Sequence, residues 1–345
     1  MLLLNGDCIE EMQKMIDEGV QVDSVVTDPP YELGFMGKSW DSTGIAFQKE
    51  TWELAYQLLK PGGHLLAFSS SRTYHRMAVA IEDSGFNIRD QIMWLYGSGF
   101  PKSLNIGKAI DKKLGAKRKV VGQKTAGALS GNSKFNDAKT GTISRNHSNP
   151  TQSYKSGKAG MYDVTEPTTP EAKQHEGWGT AIKPAHEPIV MARKGVNKPL
   201  NLDECRVGDF EQDTSKNRRN TQEEQIFKGG WKGDKGGEVV KGRWPANVIH
   251  DGLEEDWSKY FYCSKASKKE KDDTNHPTVK PIDLMRYLVK LVTPKDGLVL
   301  DPFAGTGTTG EACILEGRNY YLIEKTKEYI SDIEKRINKY DRLGI

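Results

Sequence analysis

The chain has 345 residues, of which 28% are charged and 36% are hydrophobic, with 50 Lys and Arg against 47 Asp and Glu. This length predicts about two domains, or one large α/β domain with an insertion, and it can bury a full core without disulfides. The apolar runs are far shorter than the ~20 residues of a membrane span. The apolar start Met1–Leu4 gives way at once to polar residues, so the sequence argues against a membrane-spanning or secreted protein.

Four cysteines are scattered along the chain, none at C-x-x-C spacing and none beside a His cluster. This spacing argues against a disulfide framework and a structural zinc site. We therefore expect no metal centre and a reducing, cytoplasmic location. The cysteines are Cys8, Cys205, Cys263 and Cys313.

The charge is unevenly distributed along the chain. Between Pro101 and Pro245 there are 27 Lys and Arg against 16 Asp and Glu, a net charge of +11, whereas the rest of the chain has a net charge of −8. A basic middle between acidic flanks predicts either a polyanionic partner such as nucleic acid, or an ordinary Lys-rich insertion exposed to solvent.

The first hundred residues alternate between strand and helix patterns. Short buried runs end in turn residues, and stretches with apolar residues at helical spacing follow them. Pro61-Gly62-Gly63 is expected to end a helix before a strand starts at His64. This rhythm predicts a mostly parallel sheet with helices on both faces. Strands are expected at 23–27, 64–68 and 86–96, and helices at 9–16, 52–59 and 73–83.

The middle of the chain has little apolar periodicity. Residues 105–183 and 195–243 are dominated by Gly, Ser, Thr, Asn and Lys, which predicts long loops or a loosely built insertion. Between them, 187–192 has the pattern of one strand.

Regular patterns resume near His276. Helices are expected at 282–292, 308–316 and 325–340, and strands at 297–300 and 319–323. We therefore predict that 1–104 and 245–345 are two parts of one α/β domain. Residues 105–244 would be an insertion, from which 184–194 returns to the core sheet.

Residues 298–309 have the pattern of a strand, a tight glycine turn and a helix start. Glycines let the backbone approach a ligand, and a helix N-terminus offers unpaired N–H groups. Glu324, at the end of the next strand, can accept hydrogen bonds from ribose hydroxyls. The spacing Gly305-x-Gly307-x-x-Gly310 matches the dinucleotide fingerprint, but a nicotinamide enzyme normally begins with this turn, and only about 35 residues follow here. A glycine turn without a ligand is the other alternative.

Asp28-Pro29-Pro30-Tyr31 follows the first of these buried strands, at the end of the sheet where open α/β folds bind ligands. Two prolines fix the backbone and leave carbonyls without local N–H partners. The turn therefore presents two acceptors, the Asp28 carboxylate and the Pro29 carbonyl, beside the flat ring of Tyr31. This set suits a planar molecule with an exocyclic amine, such as adenine or cytosine. A plain proline turn capped by Asp is the alternative.

Together these segments resemble the amino-methyltransferases that modify exocyclic amines of DNA bases. The Asp-Pro-Pro-Tyr turn (28–31) is similar to their catalytic motif, and the glycine loop (301–307, Asp-Pro-Phe-Ala-Gly-Thr-Gly) is similar to their loop for S-adenosylmethionine (AdoMet). Residues 276–281 (His-Pro-Thr-Val-Lys-Pro) resemble the segment before that loop, and this order is that of the permuted beta group. Two shorter pieces, 34–41 and 99–103, are similar to phage and prophage members.

The resemblance implies a Rossmann-like AdoMet-dependent methyltransferase fold, a doubly wound mixed α/β sheet that is circularly permuted and carries an inserted target-recognition region. The N-terminal strand would follow Glu324 in the sheet, Asp7 would accept from the adenine amine of AdoMet, and Glu324 would hold its ribose. From the residues alone, Asp7 is a turn or N-cap residue. The implied catalytic residues are Asp28, Pro29, Pro30 and Tyr31. The implied cofactor-binding residues are Asp7, Cys8, Asp28, His276, Thr278, Lys280, Asp301, Phe303, Ala304, Gly305, Thr306, Gly307, Thr308 and Glu324.

The implied reaction is methyl transfer from AdoMet to adenine-N6 in double-stranded DNA. The target base must be flipped out of the duplex, after which Tyr31 would stack on it while Asp28 and the Pro29 carbonyl take the amine hydrogens. Transfer would be a direct in-line displacement helped by positioning and electrostatics. In this group Asp at the first motif position goes more often with adenine and Ser with cytosine-N4, so Asp28 favours adenine and cytosine-N4 is the rival. Cytosine-C5 methylation is not expected, because the sequence has no Pro-Cys pair.

The basic insertion would contact DNA phosphates. Phe35 and Trp40 would either fill the space of the flipped base or pack under a mobile lid. The resemblance leaves open a homodimer and a cognate restriction enzyme as partners. The candidate phosphate contacts, each with a solvated surface as the alternative, are Lys112, Lys113, Lys117, Arg118, Lys119, Lys216, Arg218 and Arg219.

Two other classes of function are open. A nicotinamide-dependent oxidoreductase is supported by the glycine fingerprint alone, and stabilisation by NAD rather than AdoMet would favour it. A DNA-binding protein with an inactive methyltransferase fold is disfavoured by the intact Asp-Pro-Pro-Tyr turn. The order of the motifs disfavours an RNA target.

Overall fold

The computed structural model describes residues 2–34, 39–96, 103–125, 161–195, 199–213, 239–250, 263–267, 270, 274, 276 and 278–341. The chain divides into two compact units. Unit 1 comprises Met1–Ser98 and Ala185–Ile345, and unit 2 comprises Gly99–Pro184. Within these described ranges, no helix is long and apolar enough to cross a membrane.

The described residues form strands and helices in alternation. The strands are β1 (Leu2–Asn5), β2 (Val22–Thr27), β3 (Leu59–Phe68), β4 (Asn87–Leu95), β5 (Lys119–Thr125), β6 (Met161–Glu166), β7 (His186–Arg193), β8 (Val207–Asp213), β9 (Val239–Arg243), β10 (Val248–His250), β11 (Leu298–Asp301) and β12 (Asn319–Glu324). The helices are α1 (Cys8–Asp17), α2 (Lys49–Leu58), α3 (Tyr74–Asp83), α4 (Ile106–Lys113), α5 (Pro170–Gln174), α6 (Ile282–Val292), α7 (Thr308–Leu315) and α8 (Lys327–Asp341).

Unit 1 is built around one eight-stranded sheet with the order β1-β12-β11-β2-β3-β7-β4-β10. Strand β7 runs antiparallel to β3 and β4, and the other neighbours are parallel. The predicted mixed, mostly parallel α/β fold is therefore confirmed. The strand expected at 187–192 is present as β7.

Helices cover both faces of this sheet because successive strand residues point to opposite sides. Val25 and Leu65 belong to an apolar core that includes residues of α1, α2 and α3. Their chain neighbours Val26 and Leu66 belong to a second core with residues of α6, α7 and α8. All six residues of β2 are buried, which is expected for a central strand that is covered on both faces.

The N-terminal strand lies at one edge of the sheet. Strand β1 pairs in parallel with β12, and Asn5 lies opposite Glu324. The segment that follows β1 therefore lies beside the carboxyl end of β12, which is the spatial order that the resemblance implied. The circular permutation itself remains a prediction.

Strand β3 starts earlier than the sequence predicted. Pro61-Gly62-Gly63 was expected to separate a helix from a strand starting at His64, but these residues lie within β3. The register shifts between the pairs Val22–Leu59 and Ser24–His64, so the extra residues form an irregularity in the strand. Gly62 has a φ of +80° and donates its N–H to the Lys194 carbonyl at 2.7 Å.

Unit 2 is more ordered than its composition predicted. Strands β5 and β6 form an antiparallel pair, and α4 and α5 begin at polar caps rather than on an apolar stripe. Asn105 caps α4 by accepting from the Lys108 N–H at 2.8 Å, and Thr169 caps α5. In unit 1, β8 and β9 likewise pair within a stretch that was expected to be loop. Polar helix caps and strand pairing therefore order residues whose composition predicted loops.

Candidate active site

The Asp-Pro-Pro-Tyr turn and the glycine loop follow neighbouring strands. β2 and β11 are parallel neighbours, so both segments lie at the same edge of the sheet. A hydrogen bond joins the ends of the two strands, because the Thr27 hydroxyl donates to Oδ1 of Asp301 at 2.7 Å. The two motifs that the sequence separates by about 270 residues are thus adjacent in space.

Asp301 lies beneath the glycine loop. Only 2% of the residue is exposed, and its Oδ1 also accepts from the Phe303 N–H at 3.1 Å while Oδ2 accepts from the Thr309 hydroxyl at 2.6 Å. Burial raises the pKa of Asp301 to about 6, against the effect of these hydrogen bonds. The sequence assigned Asp301 to cofactor binding. Both carboxylate oxygens fix the loop, and a contact between Asp301 and the cofactor stays a prediction.

The glycine loop offers its backbone rather than its side chains. Gly305 and Gly307 have φ angles of +54° and +77°, and a Cβ on Gly307 would come within 2.8 Å of Ile333. Helix α7 begins directly after Gly307, and no side chain in the described ranges caps it, so its first N–H groups are available to a ligand. Among the predicted cofactor residues, Ala304, Thr306 and Thr308 are buried, whereas Phe303 and Gly305 are partly exposed.

Glu324 lies beside the glycine loop and binds its backbone. Its Oε2 accepts from the Gly305 N–H at 2.9 Å, and its Oε1 accepts from the Thr326 N–H at 2.7 Å. Burial raises the pKa of Glu324 despite these hydrogen bonds. Each carboxylate oxygen retains a further lone pair, so the position and orientation of Glu324 fit the predicted contact with ribose hydroxyls.

Asp7 is the N-cap of α1, which is the role that the residues alone allowed. Its Oδ1 accepts from the Ile9 N–H at 3.0 Å, and its Oδ2 lies 3.0 Å from the Lys325 ammonium. Burial alone would raise the pKa of Asp7, but the hydrogen bonds from Lys325 and Ile9 outweigh it and lower the pKa. Cys8 is buried, and burial together with the charge of Asp7 raises the pKa of its thiol to about 12. Contact between these residues and a cofactor stays a prediction.

His276 lies over the glycine loop in a group of aromatic rings. Its Nε2 is 3.4 Å from the position that a Cβ on Gly305 would take. Trp40 stacks on the His276 ring with centroids 6.1 Å apart, and Tyr329 meets it edge-on at 4.5 Å. Burial lowers the pKa of His276. Its Nδ1 lies 2.7 Å from the Thr278 carbonyl, so Thr278 contacts His276 through its backbone. Trp40 therefore packs on the predicted cofactor site, while Phe35 lies outside the described residues.

Asp28 has two carboxylate oxygens in different environments. Oδ2 lies 2.5 Å from the ammonium of Lys280. Oδ1 is buried and has no hydrogen-bond partner among the described residues. Of the two prolines that follow, Pro29 is buried and Pro30 is partly exposed. The turn thus contains an unused acceptor at the position where the sequence predicted one.

Tyr31 and Lys280 share a partner that the sequence analysis missed. The Tyr31 hydroxyl donates to Oε2 of Glu187 at 3.0 Å, and the Lys280 ammonium lies 3.4 Å from the same oxygen. Burial, and then the charges of Asp28 and Glu187, raise the pKa of Tyr31. Sequence reasoning assigned Lys280 to the cofactor. The structure places its ammonium against Asp28, and a contact with the cofactor stays a prediction. A charged residue at the start of the buried strand 187–192 was the signal that could have identified Glu187.

The candidate DNA contacts separate into three groups. Lys112, Lys113, Lys117 and Lys119 are exposed on unit 2. The guanidinium of Arg118 is paired within the unit, 3.0 Å from Asp111 and 3.1 Å from Glu176, and 10% of its side chain is exposed. A contact between Arg118 and a DNA phosphate stays a prediction. The remaining candidates, Lys216, Arg218 and Arg219, lie outside the described residues.

A family model described as DNA methylase, N6_N4_Mtase, matches residues 22–335. The chain belongs to the N6/N4 DNA methylase family. AdoMet is the methyl donor of this family, as the resemblance implied. The phage type implied by two short segments remains a prediction.

Several known proteins are similar to this family member over shorter stretches. The type II methyltransferase M2.MboI of Moraxella bovis is 43% identical over 70 residues, which cover 20% of this chain and 26% of that protein. M.HinfI of Haemophilus influenzae is 40% identical over 84 residues, 24% of this chain and 23% of that protein. The aligned part therefore spans about a quarter of the length of these relatives.

Solved structures align over the whole chain at low identity. The M1.HpyAVI–SAM complex is 19% identical, with coverage of 97% of this chain and 98% of that chain and a TM-score of 0.49. The cytosine-N4-specific PvuII DNA methyltransferase is 14% identical, with coverage of 99% and 91% and a TM-score of 0.48.

Proposed function

We propose that this protein is a site-specific DNA methyltransferase that transfers the methyl group of AdoMet to N6 of adenine in duplex DNA. The observation that carries the proposal is the adjacency of the two motifs, joined by the hydrogen bond from Thr27 to Asp301 at 2.7 Å. A site for the methyl donor and a site for an exocyclic amine would then lie side by side. Direct transfer requires this arrangement, since donor and acceptor must meet in line.

The residues around the glycine loop fit AdoMet. Gly305 and Gly307 lack the Cβ atoms that would fill the loop, and Glu324 is fixed at its mouth. We infer that Glu324 holds the ribose and that His276 and Phe303 cover the cofactor. When bound, AdoMet supplies an electrophilic methyl group on a positively charged sulfur.

The Asp-Pro-Pro-Tyr turn would hold the target amine. Oδ1 of Asp28 and the carbonyl of Pro29 accept its two hydrogens, and the ring of Tyr31 supports the flipped base. These contacts direct the nitrogen lone pair towards the methyl group and increase its nucleophilicity. No enzyme nucleophile is required, and burial keeps the Cys8 thiol protonated by raising its pKa to about 12.

Adenine rather than cytosine is proposed because Asp occupies the first position of the motif. The exposed lysines of unit 2, including Lys112 and Lys117, are proposed as phosphate contacts that position the enzyme on DNA without reading its sequence. A homodimer and a cognate restriction enzyme remain predictions.

The test is to incubate the purified protein with AdoMet and unmethylated duplex DNA, digest the DNA, and identify the nucleosides by mass spectrometry. N6-methyladenine is expected. N4-methylcytosine would overturn the choice of base but retain the mechanism, and no methylated nucleoside would contradict the proposal. A parallel thermal-shift measurement should show stabilisation by AdoMet and not by NAD, which separates this function from an oxidoreductase.

A further inference from the structure

The buried Lys280 is completely engaged by the residues around the Asp-Pro-Pro-Tyr turn. Its ammonium lies 2.5 Å from Oδ2 of Asp28, 3.2 Å from the Tyr31 hydroxyl and 3.4 Å from Oε2 of Glu187. A lysine ammonium has three hydrogens, and three oxygen atoms surround this one. Only 8% of the Lys280 side chain is exposed, so this contact is not a flexible surface pair.

The lysine binds one oxygen of Asp28 and leaves the other without a partner. Oδ1 is buried, and in the part of the chain that the structure describes nothing donates a hydrogen bond to it. A buried acceptor without a donor is unfavourable, and such atoms are uncommon in folded proteins. An arrangement that occupies Oδ2 and leaves Oδ1 without a donor therefore indicates an acceptor for a ligand.

We propose that Lys280 and Glu187 are positioning residues for methyl transfer: Lys280 fixes Asp28 through Oδ2 so that Oδ1 faces the target amine, and Glu187 holds Lys280 and the Tyr31 hydroxyl in place. This inference rests on the proposed function. It assigns the two residues to the acceptor side of the reaction rather than to the cofactor.

Glu187 also sets the charge of the site. Asp28 and Lys280 together are neutral, so Glu187 gives the group of three a net charge of −1. In the transfer step the amine lone pair forms the new N–C bond while the C–S bond breaks, and the sulfur keeps that electron pair. The nitrogen becomes positively charged and then releases one proton, first to Oδ1 of Asp28 and from there to water. A net negative charge beside the nitrogen stabilises this developing positive charge.

Lys280 remains charged under ordinary conditions. Burial alone would lower the pKa of Lys280, but the neighbouring carboxylates of Asp28 and Glu187 outweigh it and raise the pKa above its usual value. Substitution by Arg retains the charge with a different shape, whereas Met retains much of the length and removes the charge. These two variants therefore separate the effect of charge from that of packing.

A matched control exists on the same strand. Asp23, near the start of β2, pairs with Lys60 at 2.9 Å, whereas Asp28 follows the end of β2. The Lys60 side chain is 44% exposed, so Lys60→Met controls for the loss of a lysine paired with a carboxylate away from the site, and not for the loss of a buried pair.

The experiment measures single-turnover transfer of labelled methyl from AdoMet to unmethylated duplex DNA, both saturating, together with the Kd for AdoMet. We expect Lys280→Met to reduce the transfer rate about 100-fold and Glu187→Gln about 10-fold. The Kd for AdoMet should stay within about threefold, Lys280→Arg should recover part of the rate, and Lys60→Met should transfer at the wild-type rate.

Several results would overturn the inference. Wild-type rates in both Lys280→Met and Glu187→Gln would do so, as would a loss confined to AdoMet affinity. If Lys280→Met fails to fold, Lys280→Arg and Glu187→Gln decide the question by the same comparison of rate and affinity. A wild-type protein that transfers no methyl group would contradict the proposed function itself, and that result is distinct from an active wild type with unaffected variants.

Discussion

Two carboxylates paired with cations, one in each unit, differ in how completely they are satisfied. In unit 2, Asp111 is fully buried, and it accepts hydrogen bonds from Arg118, from the N–H groups of Thr168 and Thr169, and from the Thr169 hydroxyl. In unit 1, Asp28 is bound by Lys280 through one oxygen, while its buried Oδ1 has no donor among the residues described. The first pair stabilises its surroundings, and the second leaves an acceptor for a substrate.

The largest expected effect comes from removing the unsatisfied carboxylate. Asp28→Ala should reduce methyl transfer by about 10² to 10⁴-fold, because the target amine loses its charged acceptor. The melting temperature should also fall, because the buried Lys280 ammonium loses its nearest carboxylate, so transfer is measured where the variant is folded. Calorimetry should show that AdoMet still binds. If this variant transferred methyl groups at the wild-type rate, Asp28 would have no catalytic role and the functional difference between Asp28 and Asp111 would be contradicted.

The next largest effect is expected from a substitution in the glycine loop. Gly307→Ala places a Cβ at a φ of +77° and within 2.8 Å of Ile333, so AdoMet affinity should fall about tenfold or more. Gly317→Ala is the matched control, because Gly317 also has a positive φ of +63° but has open space around it. Gly317→Ala should lower the free energy of unfolding by about 1 kcal/mol and leave AdoMet affinity unchanged. Equal AdoMet affinity in the two variants would contradict a role of the glycine loop in AdoMet binding.

Removing the satisfied carboxylate should lower stability without the direct loss of a substrate contact that Asp28→Ala causes. Asp111→Ala should lower the melting temperature by about 5 °C or more, since Arg118 and two backbone N–H groups lose their acceptor. Asp163→Ala removes an exposed carboxylate from β6 of the same unit and should have little effect. Differential scanning calorimetry of the two variants tests this, and equal melting temperatures would argue against a structural role for Asp111.

Another carboxylate of unit 1, Asp301, extends the comparison to the pH dependence of stability. Asp301 has partners for both oxygens, yet burial raises its pKa from 3.8 to about 6. The folded protein therefore binds this proton more tightly than the unfolded chain does. Its contribution to stability is therefore present below about pH 4 and is lost as the pH rises through about 6. Each pKa unit corresponds to about 1.4 kcal/mol, so the change is at most about 3 kcal/mol.

Denaturant unfolding of the wild type and Asp301→Asn between pH 4 and 7 measures this effect. The wild type should lose stability relative to the Asn variant as the pH rises. A difference between the two proteins that does not vary with pH would show that Asp301 does not titrate in this range.

The parts of the molecule built on apolar patterns were predictable from the sequence. The alternation of Val25 and Val26 between two cores, and the position of β7, followed from residue types that burial selects. Unit 2 was missed because its helices begin at polar caps such as Asn105 and its interior contains Asp111. Polar residues that satisfy one another leave no periodic signal.

The site shows the same limit. The sequence identified Asp28 and the glycine loop, because their motifs are local. It passed over Glu187 as a partner of Lys280, because these two residues are 93 positions apart in the chain and meet only in the folded protein. Only the fold shows which of two carboxylate oxygens is occupied.

The most direct test of the central claim is a crystal structure of the protein with an unreactive AdoMet analogue and a duplex that contains its methylation site. We expect the target base outside the stack, with its amine about 3 Å from Oδ1 of Asp28 and Lys280 still bound to Oδ2. A target amine bound away from Oδ1, or a Lys280 that leaves Asp28 when the base arrives, would contradict the account.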